Sequence, residues 1–225
     1  MHRTITQRPV SLLRRGADAY CLATDLPIFH LDPGAVTSDA RIGRRIAAAY
    51  LAGPAADTAA EPAYRAFRAE TAAQFEFLTR SRGRGGLGIE VLVQAEDPYP
   101  DAAAMTSDLR DFGLLRVYGT AGCGNPHPYL SNDDNDMFRA VHDAFGHAAT
   151  GRGFDRHGEE AAWLKHATMY SPLARQAMTT ETRGQTCVFF YYFKGERFPR
   201  QKMFVLPEPF WRLDIPPATG GGERG

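Results

Sequence analysis

The sequence has no imbalance of charge, few cysteines and no long apolar run. Lys+Arg and Asp+Glu both total 26, so the formal net charge is zero. A protein that grips a phosphate backbone normally carries an excess of basic residues, so a nucleic-acid partner is not expected. The three cysteines, Cys21, Cys123 and Cys187, are odd in number and show no C-x-x-C spacing. That argues against a disulfide scaffold and against a thiolate zinc site, and fits a reducing cytoplasm. No stretch approaches the roughly 20 apolar residues of a membrane span. Arg14 and Arg15 interrupt the one apolar candidate near the N-terminus, so neither a leader nor a membrane partner is expected. Internal repeats and heptad runs are missing as well.

What is present suffices for one core: 225 residues with 44% hydrophobic content. Residues 1–36 hold Pro27, Pro33 and Gly34 without a clean period and read as an irregular N-terminal arm. Residues 37–215 read as one metal-binding catalytic domain, and the glycine-rich residues 216–225 as a disordered tail. Within the domain, Ser38 caps an expected helix through about Leu51, where Ile42, Ile46 and Tyr50 recur every four residues. A second expected helix runs from Pro62 to Thr79 with Tyr64, Phe67, Thr71, Phe75 and Leu78 on one side. Residues 89–94 and 114–118 read as short strands around a helix at 101–111. Helices are expected over 134–149, 158–170 and 172–184, with a strand or hairpin at the aromatic run that follows, residues 188–193. The fold class is mainly α with a small β component, an α+β domain around a metal site.

Five of the seven histidines lie between 127 and 166. Phe138, Val141 and Phe145 form an apolar stripe that directs His142 inward. His147 follows five residues later, about 140° round an ideal helix, so convergence of the two imidazoles requires a distortion that Gly146 permits. Without one, a core histidine and a dipole-favoured C-terminal histidine would explain the pair. Glu159, Trp163, His166 and Tyr170 share a helix face in the next segment. Glu181, flanked by Thr179, Thr180 and Thr182, precedes an apolar run and is expected to be buried enough to need a cation or hydrogen-bond donors. Two histidines and one carboxylate form a facial triad that leaves coordination positions open.

The order of motifs resembles the catalytic core of the pterin-dependent aromatic amino acid hydroxylases. The matching text is His142-Asp-Ala-Phe-Gly-His147, then residues 154–160 ending in Glu159-Glu160, then Thr179-Thr-Glu181. Ser107–Phe112 and Leu115–Tyr118 resemble the segment before that family's substrate loop. The resemblance spans roughly residues 105–190. It implies iron(II) held by His142, His147 and Glu181, with a reduced pterin as co-substrate. Asp143 stands where the family has glutamate, and Leu114 and Leu115 where it has an aromatic that stacks on pterin.

The expected function is therefore a non-haem iron(II) monooxygenase that uses O2 to hydroxylate a small, aromatic or amino-acid-like molecule. Glu159, His166 and Tyr170 are the expected supporting catalytic groups, and Phe138, Trp163 and Arg183 the expected substrate pocket. Three other readings use the same residues. One is a dinuclear iron carboxylate oxygenase, with His166 and Glu159 or Glu160 added to the triad. Another is a metal-dependent hydrolase built on the adjacent His142-Asp143, and the last a metal-stabilised binding protein without activity.

Overall fold

The computed structural model of the chain describes residues 8–213. Eight α-helices and two short strands make up its regular structure, a single mainly helical domain with a small sheet. The expected tail lies outside the described residues, as do the first seven residues of the expected arm.

The rest of the arm is irregular over residues 24–36 apart from one short turn, but not before them. Residues Ser11–Ala23 form α1, and its spacing of Leu13, Ala17, Tyr20 and Cys21 lays one face into the core. The apolar period was masked by Arg14, Arg15 and Asp18, which occupy the other side of the same turns. Helix α2, Ala40–Ala52, starts one residue later than expected because Asp39, not Ser38, accepts hydrogen bonds from the Arg41 and Ile42 amides. Helix α3, Glu61–Thr79, runs through the centre and buries Tyr64, Phe67, Thr71, Gln74 and Leu78. Burial of Phe67 or Leu78 stabilises the fold by about 1.5–3 kcal/mol each. Strand β1 (Glu90–Gln94), helix α4 (Ala102–Asp111) and strand β2 (Leu114–Tyr118) follow as expected. The strands pair in parallel with Val91 opposite Leu115, so α4 is the crossover that such a pair requires.

The remaining helices build the site. Helix α5, Asn132–His142, begins at a capping box in which Ser131 and Asp134 satisfy each other's backbone amides. Helix α6 spans Arg156–Ala167 behind an Asp155 cap, and α7 spans Pro172–Thr179 behind Ser171 with proline at its first position. Helices α5 and α7 pack on α3, and α6 packs across the segment that follows α5.

Helix α8, Gln185–Tyr191, occupies most of the aromatic run where a strand or hairpin was expected. Tertiary packing overrides the local preference of Val188, Phe189 and Phe190 for extended backbone. Cys187 and Val188 join Ile46, Ala47 and Tyr50 of α2 in a second, smaller core cluster with Phe204 and Leu206. Gly43 makes that packing close, since a Cβ there would lie 2.1 Å from the Tyr191 ring. Among the described residues no helix is long and apolar enough to cross a membrane.

Candidate metal centre

Two short π-helical turns interrupt the helices at the chemically interesting residues, Asp143–Ala148 after α5 and Thr180–Gly184 between α7 and α8. A π turn closes i→i+5 hydrogen bonds, so a residue five positions on returns close to the same face, and such turns concentrate at functional sites. This is the distortion the His142–His147 spacing demanded. The helix widens rather than ends, and the two imidazole rings stand 5.1 Å apart, nearly perpendicular.

Glycines let the third group approach. A Cβ at Gly146 would meet the Ala162 Cβ at 3.1 Å and His142 Nδ1 at 3.2 Å, so glycine admits α6 against the π turn. At Gly158 a Cβ would fall 1.9 Å from the Gly153 carbonyl oxygen, and only glycine lets α6 start there. Glu159 follows directly. Its Oε1 lies 3.5 Å from His147 Nε2 and its Oε2 3.9 Å from His142 Nε2. The three side chains can all present ligand atoms within 4.8 Å of one another. Two ligands about 2.1 Å from one ion in cis positions lie about 3 Å apart, so small side-chain adjustments would close the set on a cation.

Hydrogen bonds behind the histidines decide which nitrogens are free. The Met169 carbonyl can only accept, so the Gln74 amide nitrogen, 3.0 Å away, must face it. Gln74 Oε1 then accepts from His166 Nε2–H at 2.8 Å. His166 is held neutral, because burial and the neighbouring His142 and His147 push its pKa well below the ordinary imidazole value. Its Nδ1 is therefore an acceptor, and His142 Nδ1–H donates to it at 3.2 Å. That leaves the lone pair of His142 on Nε2, toward Glu159. His147 reaches the same state by a different route, with its Nδ1–H donating to the Arg152 carbonyl at 3.3 Å and its Nε2 toward Glu159. Both imidazoles are thus neutral-ready donors aimed at one carboxylate, each fixed by a partner of the kind that orients metal-ligating histidines.

Without an ion the three groups lean on one another. Burial pushes Glu159 up, but the charge of His147 opposite it outweighs that and brings the carboxyl down to about 2. Burial lowers His147, yet Glu159 opposite it, with Asp143, raises it above the usual imidazole value. Asp143 itself is raised, chiefly by burial against the pull of His147 and His142.

Glu181, the expected third ligand, is not part of this cluster. Its Oε1 accepts from the Tyr64 hydroxyl at 2.5 Å and from His127 Nε2–H at 3.2 Å, and its Oε2 from Gln185 at 2.8 Å. His127 is a neutral donor, since its Nδ1 accepts the Tyr129 and Leu130 amides. Lys202 sends its ammonium elsewhere, to the carbonyls of Tyr50, Leu51 and Gly53. Glu181 is therefore a buried carboxylate satisfied by neutral donors, and it lines the same cleft as the histidine pair.

That cleft encloses about 930 Å³. Phe138 lines it, as expected of a pocket residue, along with His142, His147, Glu159 and Glu181. Trp163 and Arg183 do not. Trp163 donates its indole N–H to Thr179 Oγ1 and lies 4.0 Å under the Arg183 guanidinium. Arg183 forms a two-pronged ion pair with Glu160 and donates to the Phe210 carbonyl. Glu160 is thus paired and turned away from the cleft. His166 lies behind the site as the partner of His142. Tyr170 is farther back, fully buried and hydrogen-bonded to Thr71 at 2.8 Å. His157 is half-buried and accepts the Ser38 amide. Gln74 belongs to none of the sequence motifs. Gln74 had a signal, a polar residue on the apolar face of α3.

No family model, no curated protein and no solved structure matches this chain.

Proposed function

We propose that His142, His147 and Glu159 hold a single iron(II) ion, and that the protein is an oxygenase that uses O2 to hydroxylate a small organic molecule in the adjoining cleft. One observation carries the metal assignment: two independent hydrogen-bond arrangements leave Nε2 of both histidines as free lone pairs facing one carboxylate. A buried pair of core histidines would have no reason to share that orientation. Among the described residues this is the one cluster of three or more such donors, which favours a mononuclear over a dinuclear centre.

Iron(II) in a two-histidine, one-carboxylate setting supplies electrons to O2 and open positions at which reactants meet. The chain's own residues hold and orient. The line from Met169 through Gln74 and His166 fixes the His142 ring, and the Arg152 carbonyl fixes that of His147. Asp143, whose carboxylate has no side-chain partner among the described residues, lines the cleft beside His142. Phe138, Phe154 and Tyr118 offer aromatic walls to an apolar substrate body.

Hydroxylation by O2 consumes two electrons beyond those the substrate gives. A reduced pterin, as the motif resemblance implies, is the donor we favour. Leu115 is buried in the main core and neither Leu114 nor Leu115 lines the cleft, whereas Tyr118, at the end of the same strand, does. The test is oxygen uptake by anaerobically iron-loaded protein given a reduced pterin and aromatic acids. Uptake that depends on iron and disappears in His142→Ala supports the reading. Uptake equal in the variant, or hydrolysis of model esters by zinc-loaded protein without any uptake, contradicts it.

A further inference from the structure

Strand β1 has an edge that no other described residue uses. Its centre, Val91-Leu92-Val93, is an apolar run of the kind found in parallel strands that are covered on both faces. Here neither face is closed. Val93 is 56% exposed, and Leu92, which points the other way, is 40% exposed. The backbone is open as well. The Glu90 amide donates to the Gly113 carbonyl and the Gln94 carbonyl accepts from the Gly119 amide, so Glu90 and Gln94 turn their backbone groups toward β2. Residues alternate along a strand in the edge they serve, so Val91 and Val93 direct both N–H and C=O to the outer edge. No partner meets them there among the described residues. A two-stranded sheet is marginal alone, and a free apolar edge is a ready place for another strand to pair.

The edge is complementary to itself. Two copies of β1 laid antiparallel about Leu92 set Val91 opposite Val93 of the second copy, and these are the residues whose N–H and C=O point outward. Glu90 then falls opposite Gln94 of the second copy, a carboxylate beside an amide donor, so no like charges meet. Charges beyond the strand agree with the same direction. The chain enters β1 from a basic turn in which Arg82 and Arg84 are exposed. The Arg82 side chain lies against Gly88, where a Cβ would be 3.5 Å from its Cγ. The chain leaves β1 through an acidic bend, with Glu96 and Asp97 exposed. None of these four charges has an ion-pair partner among the described residues. Antiparallel pairing brings the basic entry of each strand beside the acidic exit of the other, whereas parallel pairing would set like against like. The strand stops at Gln94 and the chain bends at Ala95, so the pairing need not extend to Ile89, whose amide the Leu78 carbonyl already holds.

We propose that β1 is a homodimer interface, in which β1 of a second copy adds antiparallel to the outer edge and joins the two small sheets into one. Register, facing residues and flanking charge all match under a single twofold axis, which favours a second copy over an unrelated strand. Asp97 follows β1 and Tyr118 ends β2, and both line the cleft. The two clefts therefore lie toward opposite ends of the joined sheet, each with the basic turn of the other copy near its rim.

The test is the mass of the full chain in solution, by sedimentation velocity over a concentration series. The parent is expected to dimerise. Val93→Pro removes an outward N–H and spares the bonds to β2, because proline is tolerated on the free side of an edge strand. This variant should be monomeric with the circular dichroism of the parent. Arg82→Glu should weaken the dimer by about ten-fold, and adding Glu96→Arg should restore it. A parent that stays monomeric up to about 0.1 mM overturns the proposal. So does a dimer that Val93→Pro leaves intact, or a double variant that dimerises no better than Arg82→Glu alone. If Val93→Pro does not fold, hydrogen exchange in the parent decides. The Val91 and Val93 amides should become protected as the dimer forms, and equally fast exchange in monomer and dimer overturns the pairing.

Discussion

Gln74→Leu should weaken metal binding at a site that Gln74 does not touch. The side chain sits on α3, wholly buried, and makes two hydrogen bonds, one to the Met169 carbonyl and one from His166 Nε2–H. Leucine fills most of the same space but leaves both partners unpaired, each at a cost of about 1–3 kcal/mol. The cheapest repair for His166 is to move its proton to Nδ1. That proton then faces His142 Nδ1, which must become the acceptor and shift its own proton to Nε2, where the ion would bind. The expected result is metal affinity lower by about 10–100-fold, the usual cost of losing an outer hydrogen-bond partner of a ligating histidine. By the same accounting the apoprotein loses about 2–6 kcal/mol of stability, a sizeable share of the 5–15 kcal/mol typical of a domain. Chelator competition with cobalt(II) or zinc(II) measures the first quantity and urea unfolding the second. Nitrogen-15 spectra of the histidine rings in the parent apoprotein read the tautomers directly, even if the variant does not fold. A folded variant with unchanged affinity, or a parent His142 protonated on Nε2, would refute the reasoning.

Other expectations follow from neighbouring contacts. Gly158→Ala places a Cβ 1.9 Å from the Gly153 oxygen, so it should cost about 1–3 kcal/mol in thermal unfolding and weaken metal binding by moving Glu159. Arg183→Met breaks the pair with Glu160 and should destabilise the fold by about 3–5 kcal/mol while leaving metal content unchanged, because Arg183 is not in the cleft. In the metal-free protein, the folded pKa of Glu159, about 2, lies below the unfolded glutamate value near 4.3. Its contribution is present above that unfolded value and is lost as pH falls toward 2. The stability curves of parent and Glu159→Gln should therefore converge over that interval in acid unfolding, and parallel curves would contradict the pairing. His147 has the opposite sign: its raised pKa adds stability below the ordinary imidazole value, and that part is lost as pH rises through the raised one.

Much of the frame was legible because period and caps agree. The α3 stripe from Tyr64 to Leu78 and the short strands around α4 were read within a residue or two. Helix α1 was not, since its arginines break the apolar run without breaking its face. Helix α8 was not, since aromatic and β-branched residues favour extended backbone until α2 offers a groove. At the site, the need for a distortion between His142 and His147 was visible in the spacing alone. Its form, a π turn, was not, because i→i+5 bonding has no local signature that Gly146 alone supplies. The choice of carboxylate was beyond reach of spacing. Glu159 and Glu181 both follow the histidines, and only the packing of α6 across the π turn decides which one meets them. Glu181 instead meets Tyr64 from α3 and His127 from a proline-flanked loop, residues far away in sequence.

The most direct measurement is the metal content of protein purified without oxygen, by mass spectrometry, for the parent chain, Glu159→Ala and Glu181→Ala. The account predicts about one iron per parent chain, as expected of a mononuclear facial triad, lost in Glu159→Ala and retained in Glu181→Ala. Iron retained in Glu159→Ala but lost in Glu181→Ala would make Glu181 the ligand after all. No metal in the parent, even after iron is supplied, would contradict the centre itself.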